Sequence, residues 1–128
     1  MDEKELLGLK RIAIVGLSPS EERASNVVAR FLISEGREIF PVNPNEKEML
    51  GRRCFPSLEE IPGEIDVVDV FRRPEAVPEI VESAIRIGAK AVWLQEGIIS
   101  PSLENARKAG LATVEDKCIM KEIKKLLP

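Results

Sequence analysis

Residues Ile12 to Ser25 read IAIVGLSPSEERAS, and this stretch decides the fold. An apolar run ends at Gly16, a short polar loop follows, and a helix begins near Ser25. A strand that passes through a glycine turn into a helix is a phosphate-binding βα unit. The turn frees backbone N–H groups, and the helix adds the positive end of its dipole. The turn departs from the usual nucleotide signatures. Leu17, Ser18, Pro19 and Ser20 follow Gly16, so the second and third glycines of G-x-G-x-x-G are missing, and no G-x-x-x-x-G-K-[ST] is present. The stretch points to a nucleotide-like anion held as neither NAD nor ATP ordinarily is.

Outward from this unit, strands and helices alternate. Ser25 is expected to cap a helix with Val28, Phe31 and Leu32 on one face, and Gly36 to stop it. Glu38 to Val42 reads as a strand ended by Asn43-Pro44. A helical turn is expected near Glu46 to Leu50, then an extended piece at Arg53 to Phe55 and a turn at Pro56 to Glu60. Ile65 to Phe71, IDVVDVF, is rich in β-branched residues and suits a central parallel strand covered on both faces. From Glu75, the residues Val77, Ile80, Val81, Ala84 and Ile85 form one helical stripe, which Gly88 ends. Ala91 to Leu94 is a strand, Pro101 to Ala109 a helix, Leu111 to Val114 a strand, and Ile119 to Leu127 an amphipathic helix. Right-handed crossovers make such a chain an α/β, doubly wound parallel sheet, here one domain over residues 1–128. Every strand exit then lands on one edge, where ligands bind.

Composition removes whole classes of function. The chain is 44% hydrophobic and 32% charged, and no run approaches the ~18 apolar residues of a membrane span. Met1 to Lys10 has no apolar signal core, so a cytoplasmic location is expected. A net charge of −3 argues against a nucleic-acid surface. The absence of histidine excludes Ser-His-Asp and Cys-His nucleophile systems, histidine zinc sites and a phosphohistidine. Cys54 and Cys118 lie far apart, so neither a structural disulfide nor a metal site is expected.

Individual residues at the exits carry the chemistry. Gly16 lets a backbone approach a bulky ligand, Leu17 continues the turn, Ser18 and Ser25 can hold phosphate oxygens, and Arg23 can clamp one. Val42-Asn43-Pro44 stands where a 2′-OH-binding site wants an acid, so Asn43 favours a ligand with a phosphorylated ribose over NAD. Arg72 and Arg73 follow a buried strand and can pair with phosphate through parallel N–H bonds. Phe71 and Val77 can line an apolar slot or belong to the core, and Asp69, inside an apolar strand, must be hydrogen-bonded. Cys118 follows Asp116-Lys117 at a helix start, where the dipole favours thiolate; a small buried capping residue is the plainer reading.

The segments IAIVGLSPSEERASNVVARFL, PVNP, VDVFRRPEAVPEIV and AKAVWLQEGI, in this order and spacing, resemble the small stand-alone CoA-binding-domain proteins. That family is similar to the N-terminal CoA-binding domain of the succinyl-CoA synthetase α subunit. The resemblance implies a Rossmann-like domain with coenzyme A along the strand exits. Gly16, Ser18 and Ser25 would lie near the phosphates and Asn43-Pro44 near the adenosine end. Phe71, Arg72, Arg73 and Val77 would surround the nucleotide and pantetheine arm, with Gln95 to Gly97 along the arm. The chain departs from the family at Ala24, where many members have proline, and in its histidine-free tail. The reading is therefore a non-catalytic module for CoA or acyl-CoA, with no general base and nucleophile pair. Three alternatives stand beside it: a redox-linked protein forming a Cys118–CoA mixed disulfide, a CoA-site subunit of a larger acyl-CoA enzyme, and a disfavoured NAD-responsive regulator. A protein partner or a homo-oligomer is compatible with each.

Overall fold

Ile12 and Ile14 of the first strand face one side of a sheet, and Ala13 and Val15 face the other, so the apolar run read from the sequence is buried on both faces. The computed structural model describes residues 1–128. In chain order the elements are α1 (Glu3–Leu7), β1 (Arg11–Val15), α2 (Ala24–Ser34), β2 (Glu38–Val42), the two-residue strands β3 (Glu48–Met49) and β4 (Arg52–Arg53), and β5 (Val67–Val70). They continue with α3 (Val77–Arg86), β6 (Ala91–Leu94), α4 (Leu103–Lys108), β7 (Ala112–Val114) and α5 (Ile119–Leu126). The five longer strands are parallel in the order β2-β1-β5-β6-β7. The chain moves from β1 outward to β2 and then crosses back to β5, so the order reverses at β1, and a crevice opens beyond the ends of β1 and β5.

Two apolar layers hold the sheet between helices. Val77, Ile80, Val81 and Ala84 of α3 and Leu103 and Ala106 of α4 pack on Ala13, Val15, Val68, Val70, Val92 and Leu94. Val28, Ala29 and Leu32 of α2, Ile119 and Ile123 of α5, and Leu6 and Leu7 of α1 pack on Ile12, Ile14, Val67, Ala91 and Trp93. At the strand-entry edge, Asp66 accepts from the Lys10 and Arg11 N–H groups at 3.3 and 3.0 Å and pairs with Lys90 at 3.2 Å, tying β1, β5 and β6 together.

The structure corrects the reading in three places. Glu46 to Leu50 is not a helical turn: β3 and β4 form an antiparallel hairpin whose two loop residues, Leu50 and Gly51, both have positive φ (53° and 72°), the conformation that matches strand twist. The N-terminal decade, for which no element was expected, contains α1. Asp2 caps it by accepting from the Glu5 N–H at 2.8 Å, and Arg37 donates to the Leu7 and Leu9 carbonyls at 2.7 and 3.2 Å. Ser25 is not a cap, because α2 already begins at Ala24 with Arg23 before it.

Candidate functional site

Gly16 is where the strand exits meet. Its N–H donates to the Val42 carbonyl at 3.0 Å, and the Phe71 N–H donates to Val15 at 2.9 Å, so the ends of β2, β1 and β5 are bound side by side. Gly16 has φ +88°, and a Cβ there would lie 2.6 Å from the Phe71 carbonyl oxygen and 2.8 Å from Arg72 Cδ. Only glycine fits, and the stem of Arg72 occupies the space a side chain would need.

The loop from Leu17 to Ser25 is braced by small polar side chains. Ser25 Oγ accepts from the Ser18 N–H at 2.9 Å, Ser18 Oγ accepts from the Ser20 N–H at 3.1 Å, and Asn26 Nδ2 donates to the Ser18 carbonyl at 2.9 Å. Asn43 Nδ2 donates to the Leu17 carbonyl at 3.1 Å, while its Oδ1 accepts from the Asn45 N–H at 2.8 Å. Ser25 and Asn43, expected as ligand groups, are thus engaged in holding two exit loops against each other. What the loop leaves open is backbone. Arg23 precedes α2 with extended backbone and makes no side-chain cap, and the Ala24 and Ser25 N–H groups have no partner within the chain. This uncapped helix start carries the partial positive charge of the dipole.

Three cavities line the exit edge in sequence. One, about 250 Å³, lies between Gly16, Ser18, Arg23, Ala24, Ser25 and Phe71. A second, about 330 Å³, continues past Gly16 and Arg72 to Val42, Asn43 and Pro44. A third, about 210 Å³, lies between Ala24, Val28, Phe71, Gln95, Ile98 and Cys118. Gly16 and Phe71 are shared walls, so the three form one crevice around the point where strand order reverses. Arg23, Arg72 and Arg73 are exposed on or beside it and have no carboxylate partner, whereas all seven ion pairs of the chain involve other residues. The largest cavity, about 740 Å³, is elsewhere, between Met1, Glu3, Lys90, Arg107 and the outer strand β7. Its charged side chains are already paired, Glu3 with Lys117, Lys90 with Asp66 and Arg107 with Glu104, so they offer a ligand little unspent charge.

Of the remaining expected site residues, some belong to the core and others reach the crevice. Leu17 and Val77 are completely buried, and their side chains belong to the core. Gln95 is 4% exposed; its Nε2 lies 2.6 Å from Asp69 Oδ1, and it reaches the crevice as a wall of the third cavity. Gly97 is exposed, and its N–H donates to Asp116 Oδ1 at 2.7 Å, which hangs the loop after β6 on the loop after β7. Cys118 is 7% exposed and stands immediately before α5. Trp93 Nε1 donates to the neighbouring Lys117 carbonyl at 2.7 Å, and Lys121, one turn into α5, pairs with Glu96 at 2.9 Å, fixing the wall that carries Cys118. Burial raises the Cys54 thiol above its usual pKa, and the thiol donates to the Asn43 carbonyl at 3.5 Å, so this cysteine is a structural brace. Asp69 is wholly buried, and desolvation, only partly countered by Gln95, pushes its pKa up to about 8.

Residues 10–124 match the CoA binding domain family. The chain belongs to this family of CoA-binding domains. It is 40% identical over 111 residues to uncharacterized protein YneT of Bacillus subtilis (strain 168), covering 86% of this chain and 82% of YneT. It is 30% identical over 99 residues to the ADP-forming acetate–CoA ligase I of Archaeoglobus fulgidus, covering 77% of this chain but 14% of the ligase. A hypothetical protein from Pyrococcus horikoshii OT3 superposes with a TM-score of 0.93 at 43% identity, covering 98% of this chain and 89% of that one. Around this crevice, the bracing residues that sequence reasoning missed are Asn26, Trp93 and Lys121. Each acts through a neighbour rather than at the crevice surface. Only Asn26 had a local signal, one residue past Ser25 in the phosphate-binding turn.

Proposed function

We propose that this chain binds CoA or acyl-CoA along the strand-exit crevice and performs no catalysis of its own. The observation that carries the reading is the junction at Gly16: open N–H groups at the start of α2, no room for a side chain, and unpaired arginines around it. A diphosphate suits the helix start, and Arg23, Arg72 and Arg73 offer charge-assisted N–H bonds to phosphate oxygens. The second cavity, bounded by Asn43 and Pro44, suits an adenosine, and the third, with Phe71 and Val28 in its wall, suits the pantetheine arm. Family membership supports the ligand; the ligases themselves are several times longer than the matched segment. With no histidine, the chain offers no imidazole as a general base.

Calorimetry tests this directly. CoA is expected to bind more tightly than NAD, and dephospho-CoA more weakly than CoA. Arg72→Ala or Arg73→Ala is expected to weaken CoA by ~1.5–3 kcal/mol with little change in melting temperature. Equal affinity for NAD, or no binding of CoA up to millimolar concentration, would remove the reading. Normal CoA affinity in both arginine variants would remove the phosphate assignment.

A second reading is favoured by one observation, the presence of Cys118 in the same cavity wall as Phe71 and Gln95. A Cys118 thiolate can attack CoA disulfide, forming a protein–S–S–CoA bond and releasing one CoA thiolate, so that CoA disulfide supplies the oxidising equivalents. Mass spectrometry is expected to show one added CoA that dithiothreitol removes, lost in Cys118→Ser and kept in Cys54→Ser. Trp93, bonded to the residue before Cys118, gives a fluorescence signal for the same event. An adduct on Cys54 instead, or none, would eliminate the redox reading and leave plain binding intact.

A further inference from the structure

β5 carries one acid among its valines. Asp69 lies in register between Ile14 and Trp93, is completely buried, and touches a single polar group, the Gln95 side chain; its Oδ2 has no partner. An ionised carboxylate facing one amide in an apolar layer is heavily penalised, so the group is carried as the neutral acid, in line with its raised pKa. A neutral acid has one proton to place. With the Gln95 NH2 turned toward Asp69, that proton stays on Oδ2, where it has no acceptor, and a donor is orphaned in the core. With the amide turned over, the acid O–H meets the Gln95 carbonyl oxygen, and only an acceptor is left unpaired. Orphaned acceptors are the better tolerated of the two. The 2.6 Å separation also falls within the range of O–H···O bonds, about 2.5–3.0 Å, and short of the usual N–H···O range, about 2.7–3.2 Å.

We propose that Asp69 donates its carboxyl proton to the Gln95 side-chain carbonyl and so turns the Gln95 NH2 into the cavity it shares with Phe71 and Cys118, where it favours the thioester carbonyl of an acyl-CoA over the free thiol of CoA. The proposal rests on the CoA-binding reading. A thioester carbonyl accepts an N–H bond, whereas a neutral thiol is a weak acceptor, so the donor discriminates between them. Asp69 is then a positioning residue, acting through Gln95 without touching the ligand. Cys118 across the same cavity is spared oxidation chemistry when the bound sulfur is acylated, because a thioester has no free thiol to pair with it.

Calorimetry with acetyl-CoA and CoA, together with NMR of the ligand-free protein, tests this. The wild type is expected to prefer acetyl-CoA by roughly three- to tenfold, the scale of one net hydrogen bond. Gln95→Leu is expected to bring the ratio near one while still binding CoA. Asp69→Asn, which keeps a donor beside the Gln95 carbonyl, is expected to retain the preference. Gln95 is the only glutamine, so its NH2 signals in glutamine-labelled protein identify themselves. They are expected to shift more on adding acetyl-CoA than on adding CoA. In aspartate-labelled protein, the carboxyl signal absent from Asp69→Asn is expected to be that of a neutral acid at pH 7. Equal wild-type affinities, a preference that survives Gln95→Leu, or an ionised Asp69 signal would overturn the proposal. Binding of neither ligand would overturn the CoA reading and this proposal with it, whereas CoA binding without the preference overturns only this one.

Discussion

Gly16→Ala is expected to destabilise the chain by about 2–6 kcal/mol and to abolish CoA binding in whatever fraction still folds. Two costs add. An alanine held at φ +88° stores about 1–3 kcal/mol of backbone strain, and crowding its methyl group against its surroundings costs about 1–3 kcal/mol more. The clash cannot be relieved by a side-chain rotation alone, because the nearest atom, at 2.6 Å, is the Phe71 backbone oxygen. Phe71 is itself tied to Val15 through its N–H at 2.9 Å, so moving it pulls apart the ends of β1 and β5 at the proposed phosphate site. Urea unfolding of the variant and the wild type measures the first effect, and calorimetry at a temperature where the variant is folded measures the second. Gly36→Ala is the control: Gly36 also has positive φ (+81°), but a Cβ there meets nothing within 4 Å, so it pays the strain without the clash or the loss of ligand. A Gly16→Ala protein no less stable than Gly36→Ala would refute the packing argument.

The contrast between these two glycines shows how far the sequence could be read. Both are visible as turn glycines, but only the structure tells that one lies beneath an arginine stem and the other in open space. The alternation of strand and helix was legible because the periods are clean: IAIV and VVDV are buried on both faces, and the α3 stripe repeats at helical spacing. Short elements were not legible. α1 has five residues, and its evidence is one Asp2 cap and a Leu6-Leu7 pair, too little for periodicity to show. The β3–β4 hairpin was missed because Leu50, a non-glycine residue at positive φ, hides the two-residue turn. The same limit applies to the crevice. Arg72 and Arg73 were legible from their position after a strand, whereas the diversion of Ser25 and Asn43 into bracing depends on partners 7 and 26 residues away. For Val77, read as slot wall or core, position on the apolar stripe of α3 decides for the core, where the residue is completely buried.

Between about pH 4 and pH 8 the wild-type protein is expected to lose stability steadily as pH rises, and Asp69→Asn is expected to remove most of that slope. The folded-state pKa of Asp69 is raised from 3.8 to about 8, so within this window the folded chain holds a proton that the unfolded chain has released. Stability falls wherever the folded state binds more protons, here by about 1.4 kcal/mol per pH unit, and levels off once both states are ionised. Holding Asp69 neutral at pH 7 thus costs on the order of 4 kcal/mol relative to pH 4, a large share of a small domain's stability. Asp66, Glu59 and Glu122 have lowered pKa values and act in the opposite sense, losing their contribution as pH falls from their ordinary values of 3.8 and 4.5 through their lowered ones. Above about pH 5, where the other carboxylates are ionised in both states, no histidine titrates in this window, because the chain has none. Asparagine carries no charge in either state, so its curve is expected to be nearly flat from pH 5 to pH 8 and to cross above the wild type toward neutrality. Urea midpoints at half-unit steps of pH measure both curves. A wild-type curve as flat as that of Asp69→Asn would mean that Asp69 is ionised in the folded chain, and that water or a cation reaches an oxygen that the core otherwise leaves without a partner.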